Sequence, residues 1–436
     1  MALGFSVPYR KSMKRDPALF DVDMLLLHLL LVPFFLIFSR LYVFLNTLTP
    51  LFLLTILVAL CAAVLILMQG AYRALLIAPL VVLGFTLAML RFSEVSGTEF
   101  NPRALSQFVG LFAIFVTYRF TSQGKTPQLV KVIFWYAIGY AFIYLLLNAA
   151  LKFGIYHPRG THQAIVLKDF SRRPRLLLAN GIVSFGVAMI MARLRHHLNM
   201  KNMLIAGLFA LTIFASLSRT YTAVVLLVGL CYFITRNARV PGWICFAILV
   251  SISFVLIAGL YFPTYNPFIH PGDASSYVRA EEYEIARQYI LRWPILGIGF
   301  PSLGPRGYKE FLAVDVFAAS DLGAVGIWMT FGLAGLVMFL VSALICTFSY
   351  RERYDQVTRD TLALTGAMMT GYAVIAPSMW YNEATLFLAL LIGERLYALN
   401  IGGAKSRSAR KAASATSRRR PTKIDYTPEP SSSNPS

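Results

Sequence analysis

Arg219 stands in the string Leu217-Ser218-Arg219-Thr220-Tyr221, between two apolar runs too closely spaced for a loop. A guanidinium at the edge of hydrocarbon is costly, so it either snorkels to the interface or has an anion to hold. The hydroxyls of Ser218, Thr220 and Tyr221 supply further donors there. A second group lies between Ser275 and Trp293, where Arg279, Arg287 and Arg292 alternate with Glu281, Glu282 and Glu284. A third spans Gly154–Arg175 and holds His157, Arg159, His162, Lys168, Arg172, Arg173 and Arg175. Guanidinium forks grip phosphate oxygens in pairs, so the chemistry these residues fit is the holding of an anionic ligand through its phosphate oxygens.

The elements that position them are membrane helices. Hydrophobic residues make up 57% of the 436 and charged residues 14%. A soluble domain carries about 25% charge, so a water-soluble fold is excluded. The 33 Phe and 22 Tyr exclude a solvated coil over most of the length. Apolar runs fall near 23–47, 50–69, 74–90, 106–120, 130–153, 176–193, 203–218, 220–235, 242–261, 323–346, 360–377 and 381–398. That makes about twelve spans, each of a length that crosses a bilayer. The expected fold is therefore all-α, a polytopic bundle with one long extracytoplasmic loop carrying an amphipathic helix. No cleavable secretory leader is expected at the start, because the first run is too long.

The net charge of +20 is mainly topological rather than a nucleic-acid surface. Positive residues collect at Arg10–Arg15, Arg73, Arg119–Lys131, Arg193–Lys201, Arg236–Arg239 and Arg351–Arg359. The tail from Ala404 onward adds Lys405, Arg407, Arg410, Lys411, Arg418, Arg419, Arg420 and Lys423, and reads as disordered. Threaded through twelve spans, all these fall on one side, which the positive-inside rule makes cytoplasmic, with both termini inside. The division is 1–22 a cytoplasmic segment, 23–261 nine spans, 262–322 the extracytoplasmic loop, 323–398 three spans, and 399–436 the basic tail. Two connections on the outer side break the charge rule, Gly154–Arg175 and Tyr261–Leu322. An anionic ligand on that face accounts for positive charge where topology disfavours it.

Within the long loop, Ser275–Trp293 has helical periodicity. Tyr283, Ala286 and Ile290 share a face with Arg279, and Pro294 and Gly297 end the helix. An interfacial helix with Glu284–Arg287 pairing is the bland alternative. Arg279 and Arg287, followed by Trp293-Pro294-Ile295-Leu296-Gly297-Ile298-Gly299 and then by a glycine-bearing span through Gly323, Gly326, Gly332 and Gly335, resemble the signature of the O-antigen ligase and polymerase superfamily. Arg219, and Arg173 and Arg175 before Asn180-Gly181, match that family's other arginine positions in order. The resemblance covers about residues 170–350.

It implies a membrane glycosyltransferase of the bacterial inner membrane, working at the periplasmic face on undecaprenyl-pyrophosphate-linked oligosaccharide, without nucleotide sugar, metal or other cofactor. Arg219 and Arg279 are then the clamp on the diphosphate, with Arg173, Arg175 and Arg287 as substrate contacts. The ligase branch has a His shortly before the glycine-bearing span. Here none of the six His lies after His270, and the matching stretch is Phe317-Ala318-Ala319-Ser320-Asp321. Asp321 is the candidate base, with Glu281 and Glu282 as alternatives, and a helix cap is its ordinary reading. Polymerase is thus favoured over ligase. A chain-length regulator and a flippase are the protein partners such an enzyme implies, alongside membrane lipids.

A lipid-linked oligosaccharide transporter is the rival class. It would need ionisable groups near mid-membrane on several spans, whereas Arg40 and Glu394 fall near span ends. Asp21-Val22-Asp23 resembles a metal-binding carboxylate pair, but its place before the first span makes it a helix cap. Cys61, Cys231, Cys245 and Cys346 lie singly in apolar runs and read as packing residues, and no zinc spacing or nucleophile elbow occurs.

Overall fold

A computed structural model of the chain describes residues 21–39, 41, 48–68, 76–156, 166–167, 175–262, 274–301, 305–312, 317, 319–347, 354–376, 380 and 384–397. The helices are α1 Val22–Phe38, α2 Leu48–Met68, α3 Ile77–Ser96, α4 Ala113–Ser122, α5 Thr126–Lys152, α6 Asn180–His196, α7 Met200–Ser216, α8 Arg219–Thr235, α9 Arg239–Tyr261, α10 Ala274–Arg292, α11 Pro305–Leu312, α12 Ala324–Thr347 and α13 Gln356–Tyr372. A last helix, α14, covers 384–397. Short 3-10 helices at Pro102–Phe112 and Ala319–Leu322 precede α4 and α12.

Helix stands in each of the twelve apolar runs, because hydrocarbon leaves the backbone no other partner than itself. Among the described residues, four helices are both long and apolar enough to cross a membrane, at Pro79–Ser96, Thr126–Lys152, Arg239–Tyr261 and Ala324–Thr347. Shorter apolar helices stand at Val22–Phe38, Leu53–Met68, Met200–Ser216 and Arg219–Thr235. Leu53, Leu57, Leu80, Leu211, Phe214, Phe254 and others lie exposed along them, a band that water would not tolerate and lipid does. The protein is a multi-pass helical membrane protein.

The fourth run departs from a simple span, since its first half is 3-10 and only Ala113–Ser122 is α-helical. Among the described residues the strand structure is a two-residue antiparallel pair, Val166 with Leu176 and Leu167 with Arg175. The basic tail and Arg173 lie outside the described residues.

Helices α6 and α13 pack together at the centre, and α13 packs also on α9 and α12. Though threonine-rich, α13 is buried along nearly its whole length. Its hydroxyls turn back on their own helix, Thr361 donating to Val357 O at 2.6 Å and Thr365 to Thr361 O at 2.7 Å. Thr370 is the exception, donating instead to Ala343 O of α12 at 3.3 Å.

Turns too short to cross the bundle join α6 to α7, α7 to α8 and α8 to α9, so these four run alternately up and down. The starts of α6 and α8 and the ends of α7 and α9 therefore share one end of the bundle. Polar contacts tie that end together. Tyr140 OH accepts from Ala179 N at 2.8 Å, Tyr144 OH donates to Leu176 O at 3.0 Å, and Asn148 Nδ2 donates to Ala215 O at 3.1 Å.

The opposite end is ionic. Asp21 caps α1, as the sequence implies, but it also meets Lys125 Nζ at 2.8 Å. Buried Asp23 takes Lys125 at 2.8 Å and Arg119 at 2.5 Å. Nearby in the sequence order of that end, Tyr232 OH donates to buried Asp360 at 2.6 Å and Tyr354 OH to buried Glu394 at 3.0 Å. Glu394 thus lies toward a helix end, in line with the sequence reading.

Candidate active site

Arg219 is the first residue of α8. Leu217, at φ 53°, reverses the chain out of α7, and Ser218 caps α8 without a side-chain hydrogen bond. A cation is misplaced here, because the helix dipole puts partial positive charge at the same end. Exposed Arg219 has no ion pair or hydrogen bond among the described residues, and it borders an apolar groove of about 890 Å³ between α7 and α8. An anion at this point would meet a guanidinium and free helix amides together.

The start of α6 stands beside it. Tyr221 OH lies 3.0 Å from Ser184 Oγ and 3.5 Å from Asn180 O, so the first turns of α6 and α8 touch. Ala179 caps α6 with no side-chain hydrogen bond either. The buried Oδ1 of Asn180 has no hydrogen-bond partner. Arg175 stands five residues upstream, its backbone in the strand pair. Two adjacent helix N-termini with a lone arginine on one of them form a positively polarised floor.

Helix α10 lies at this same end, fastened to the last turns of α9. Tyr283 OH donates to Leu256 O at 2.5 Å, and burial pushes its phenol pKa up to about 12. Arg287 Nε donates to Leu260 O at 2.8 Å, and its Nη1 meets Glu284 at 3.0 Å. Leu260 O is one of the carbonyls a helix leaves unpaired at its C-terminus, where a cation also suits the dipole. Tyr283, Ala286 and Ile290 are buried together, the face the periodicity picks out. Arg279 is half-buried with no ion pair or hydrogen bond among the described residues. Of the alternative bases, Glu281 is exposed and Glu282 buried. Asp321 is exposed in the 3-10 turn before α12, two residues ahead of the left-handed Gly323 at which α12 begins.

The stretch after α10 has a role that its sequence does not disclose. Helix α12 is broken at Gly332, whose φ of 66° and ψ of −168° interrupt the hydrogen-bond ladder. Into the break fits Pro294–Gly299. Ile298 N donates to Met329 O at 2.8 Å and Gly299 N to Thr330 O at 2.9 Å, while Leu333 N donates to Pro294 O and Ile295 O, both at 3.1 Å. Backbone groups freed by the break are thus re-paired by the loop, as hydrocarbon depth demands. Trp328 Nε1 reinforces the join with a 2.7 Å bond to Pro294 O. On the far side, Phe300 N reaches Ala88 O of α3 at 2.9 Å. The expected continuous helix through Gly332 and Gly335 is therefore two half-helices with a loop seated between them.

Residues 204–340 match a family model described as O-antigen ligase. That segment is similar to the O-antigen ligase and polymerase superfamily. No curated protein and no solved structure matches the chain. The O-antigen ligase-type segment runs from α7 into α12 and takes in Arg219, Arg279, Arg287, the Trp293–Gly299 loop, Asp321 and the Gly332 break. Arg175 and Asn180 lie before it. The match supports a membrane glycan ligase or polymerase-like activity on lipid-linked glycans.

Within this end of the bundle, the starts of α6 and α8 touch, and α10 is bound to the end of α9. Arg175 enters through its backbone position, and Arg287 as a fastening of α10 rather than a free cation. One arginine escapes the sequence reading altogether. Arg91 of α3 sits against Trp293, its guanidinium carbon 5.9 Å from the ring centre. Its only signal in the sequence is a lone cation directly after the third apolar run.

Proposed function

We propose that this protein is an inner-membrane polymerase that joins undecaprenyl-pyrophosphate-linked repeat units at the periplasmic face. The acceptor hydroxyl oxygen attacks the anomeric carbon of the donor sugar, the bond from that carbon to the diphosphate oxygen breaks, and the diphosphate leaves with the electron pair. The hydroxyl proton passes to a carboxylate, for which Asp321 is the candidate. Charge grows on the diphosphate as the bond breaks, so fixed donors aimed at it favour the transition state over the bound substrate. Arg219 and Arg279 fill that role, with Arg173 and Arg175 as further contacts. Arg287 contributes by holding α10 in place. Both termini lie in the cytoplasm in this reading, and a chain-length regulator and a flippase act alongside.

The observation that carries the proposal is the pairing of two helix N-termini lacking side-chain caps, those of α6 and α8, with an arginine at the first position of α8 that has no partner among the described residues. A site of that polarity is fitted to a large anion, not to a neutral sugar. Transfer to lipid A core, the ligase reaction, needs the same clamp, and the absence of His after His270 favours polymerisation. Reconstitution of the purified chain in vesicles with lipid-linked repeat units separates the possibilities. Longer lipid-linked chains are the expected result. Transfer only to added lipid A core would indicate a ligase, and movement across the bilayer at constant length a transporter.

A further inference from the structure

Away from Arg219, α3, α12 and α14 enclose a slot of about 430 Å³, within the size range of ligand sites. Its α3 wall is Val81, Gly84, Phe85, Ala88 and Arg91, successive turns on one face. At 1.5 Å per residue those positions span about 15 Å. The break in α12 helps shape it, because Phe331 just before Gly332 and Leu296 from the inserted loop both line the slot. Phe85, Phe331 and Trp380 meet edge to face along it, with centroids 5.3 to 6.0 Å apart. Ser342, the lone hydroxyl among its lining residues, is already engaged, donating to Met338 O at 2.8 Å and accepting from Trp380 Nε1 at 3.2 Å.

Arg91 is the single charged residue in this lining. Its Nη1 meets Glu94 at 2.8 Å, a pair in which the Glu94 side chain is 71% exposed. Its Nε is buried and has no hydrogen-bond partner. An exposed pair at three-residue spacing is weak enough for a stronger anion to displace. A buried donor without a partner is a standing cost that such an anion would relieve. The slot thus offers a cation at one extremity and an unbroken apolar wall beyond it.

We infer that this slot holds the phosphate-proximal isoprene units of a polyprenyl diphosphate, with Arg91 on its phosphate, as a second lipid site separate from the groove at Arg219. One narrow slot takes one chain, which fits a single-tailed polyprenyl lipid rather than a two-tailed phospholipid. The inference rests on the polymerase reading, in which donor and acceptor are both carried on such lipids and two sites are needed.

Native mass spectrometry of the full chain in detergent, titrated with unglycosylated polyprenyl diphosphate, tests it. Gly84→Phe fills the slot, since a Cβ at Gly84 meets no atom within 4 Å and the helix is undisturbed. Arg91→Gln keeps the slot and removes the charge. Wild type is expected to bind two molecules. Gly84→Phe is expected to bind one, and Arg91→Gln to weaken one of the two by at least about tenfold, as expected for a lost charged hydrogen bond. Arg219→Ala should still bind at the slot, so loss of the slot lipid in Gly84→Phe stands whether or not Arg219 proves to be the diphosphate clamp. Two molecules bound with unchanged affinity in both slot variants would overturn the inference. So would displacement of the slot molecule by an equal amount of phosphatidylglycerol.

Discussion

The carbonyl of Ile295 sits in the notch that Gly332 opens in α12, where the amide of Leu333 donates to it at 3.1 Å and a Cβ on Gly332 would overlap its oxygen. Loop and half-helices therefore form one hydrogen-bonded unit, and the loop directly continues α10, which carries Arg279 and Arg287. The arginine helix is held at its middle by α9 through Tyr283 and Arg287, and beyond its C-terminus by α12 through the Ile295–Gly299 backbone.

Gly332→Ala should consequently unseat the loop. An alanine at positive φ costs about 1–2 kcal/mol before the overlap with Ile295 is counted. A clear fall in melting temperature of the detergent-purified protein is expected, together with loss of chain growth. Gly207→Ala is the control, because a Cβ at that helical glycine meets nothing within 4 Å and should leave stability unchanged or slightly raised.

Arg287→Ala removes the bond to Leu260 O and leaves that carbonyl without its donor. A loss of about 1–3 kcal/mol is expected, read as a lower melting temperature with reduced chain growth. Arg287→Lys keeps one cationic donor and should recover most of the stability. Full stability in Arg287→Ala with activity alone lost would instead make Arg287 a substrate contact.

Asp23 is buried with Lys125 and Arg119 at the other end of the bundle. Asp23→Ala strands Arg119, while Lys125 keeps its pair with Asp21, and breaking such a buried group from one side costs about 3–5 kcal/mol. The variant should unfold well below wild type in a thermal melt. Combining it with Arg119→Met should restore part of the loss, since the second change removes the stranded charge.

What was legible in the sequence follows from what local chemistry can encode. Apolar runs announce helices because hydrocarbon permits no other backbone, and the face of α10 made by Tyr283, Ala286 and Ile290 follows from helical spacing alone. Asp21 reads correctly as a cap because its partner is two residues away. Its bond to Lys125, 104 residues off, has no local trace. The same holds for the seat of Pro294–Gly299 in α12. Its glycines announce a turn, yet that the turn fills a break at Gly332 depends on contacts more than 30 residues apart. Arg287 reads as a substrate contact or a partner of Glu284, with no local trace of its bond to Leu260 O, and Arg91 belongs to no motif.

Orientation is open to chemical labelling. With Cys61, Cys231, Cys245 and Cys346 replaced by Ala, Tyr277→Cys places a thiol at an exposed position of α10. A membrane-impermeant maleimide should label it in intact cells. Labelling only after permeabilisation would put α10 in the cytosol and remove the periplasmic reading.

The account turns on Arg219 and Arg279. Neither has an ion pair or hydrogen bond among the described residues, so replacing either should leave folding untouched, while loss of a donor to the departing oxygens should slow chain growth by about 10²–10³-fold. The direct measurement is the rate of chain lengthening by Arg219→Ala and Arg279→Ala in vesicles supplied with lipid-linked repeat units, at equal amounts of inserted protein with wild-type melting temperatures. Near-complete loss in each is the predicted result. Polymer formed at the wild-type rate by either variant would contradict it.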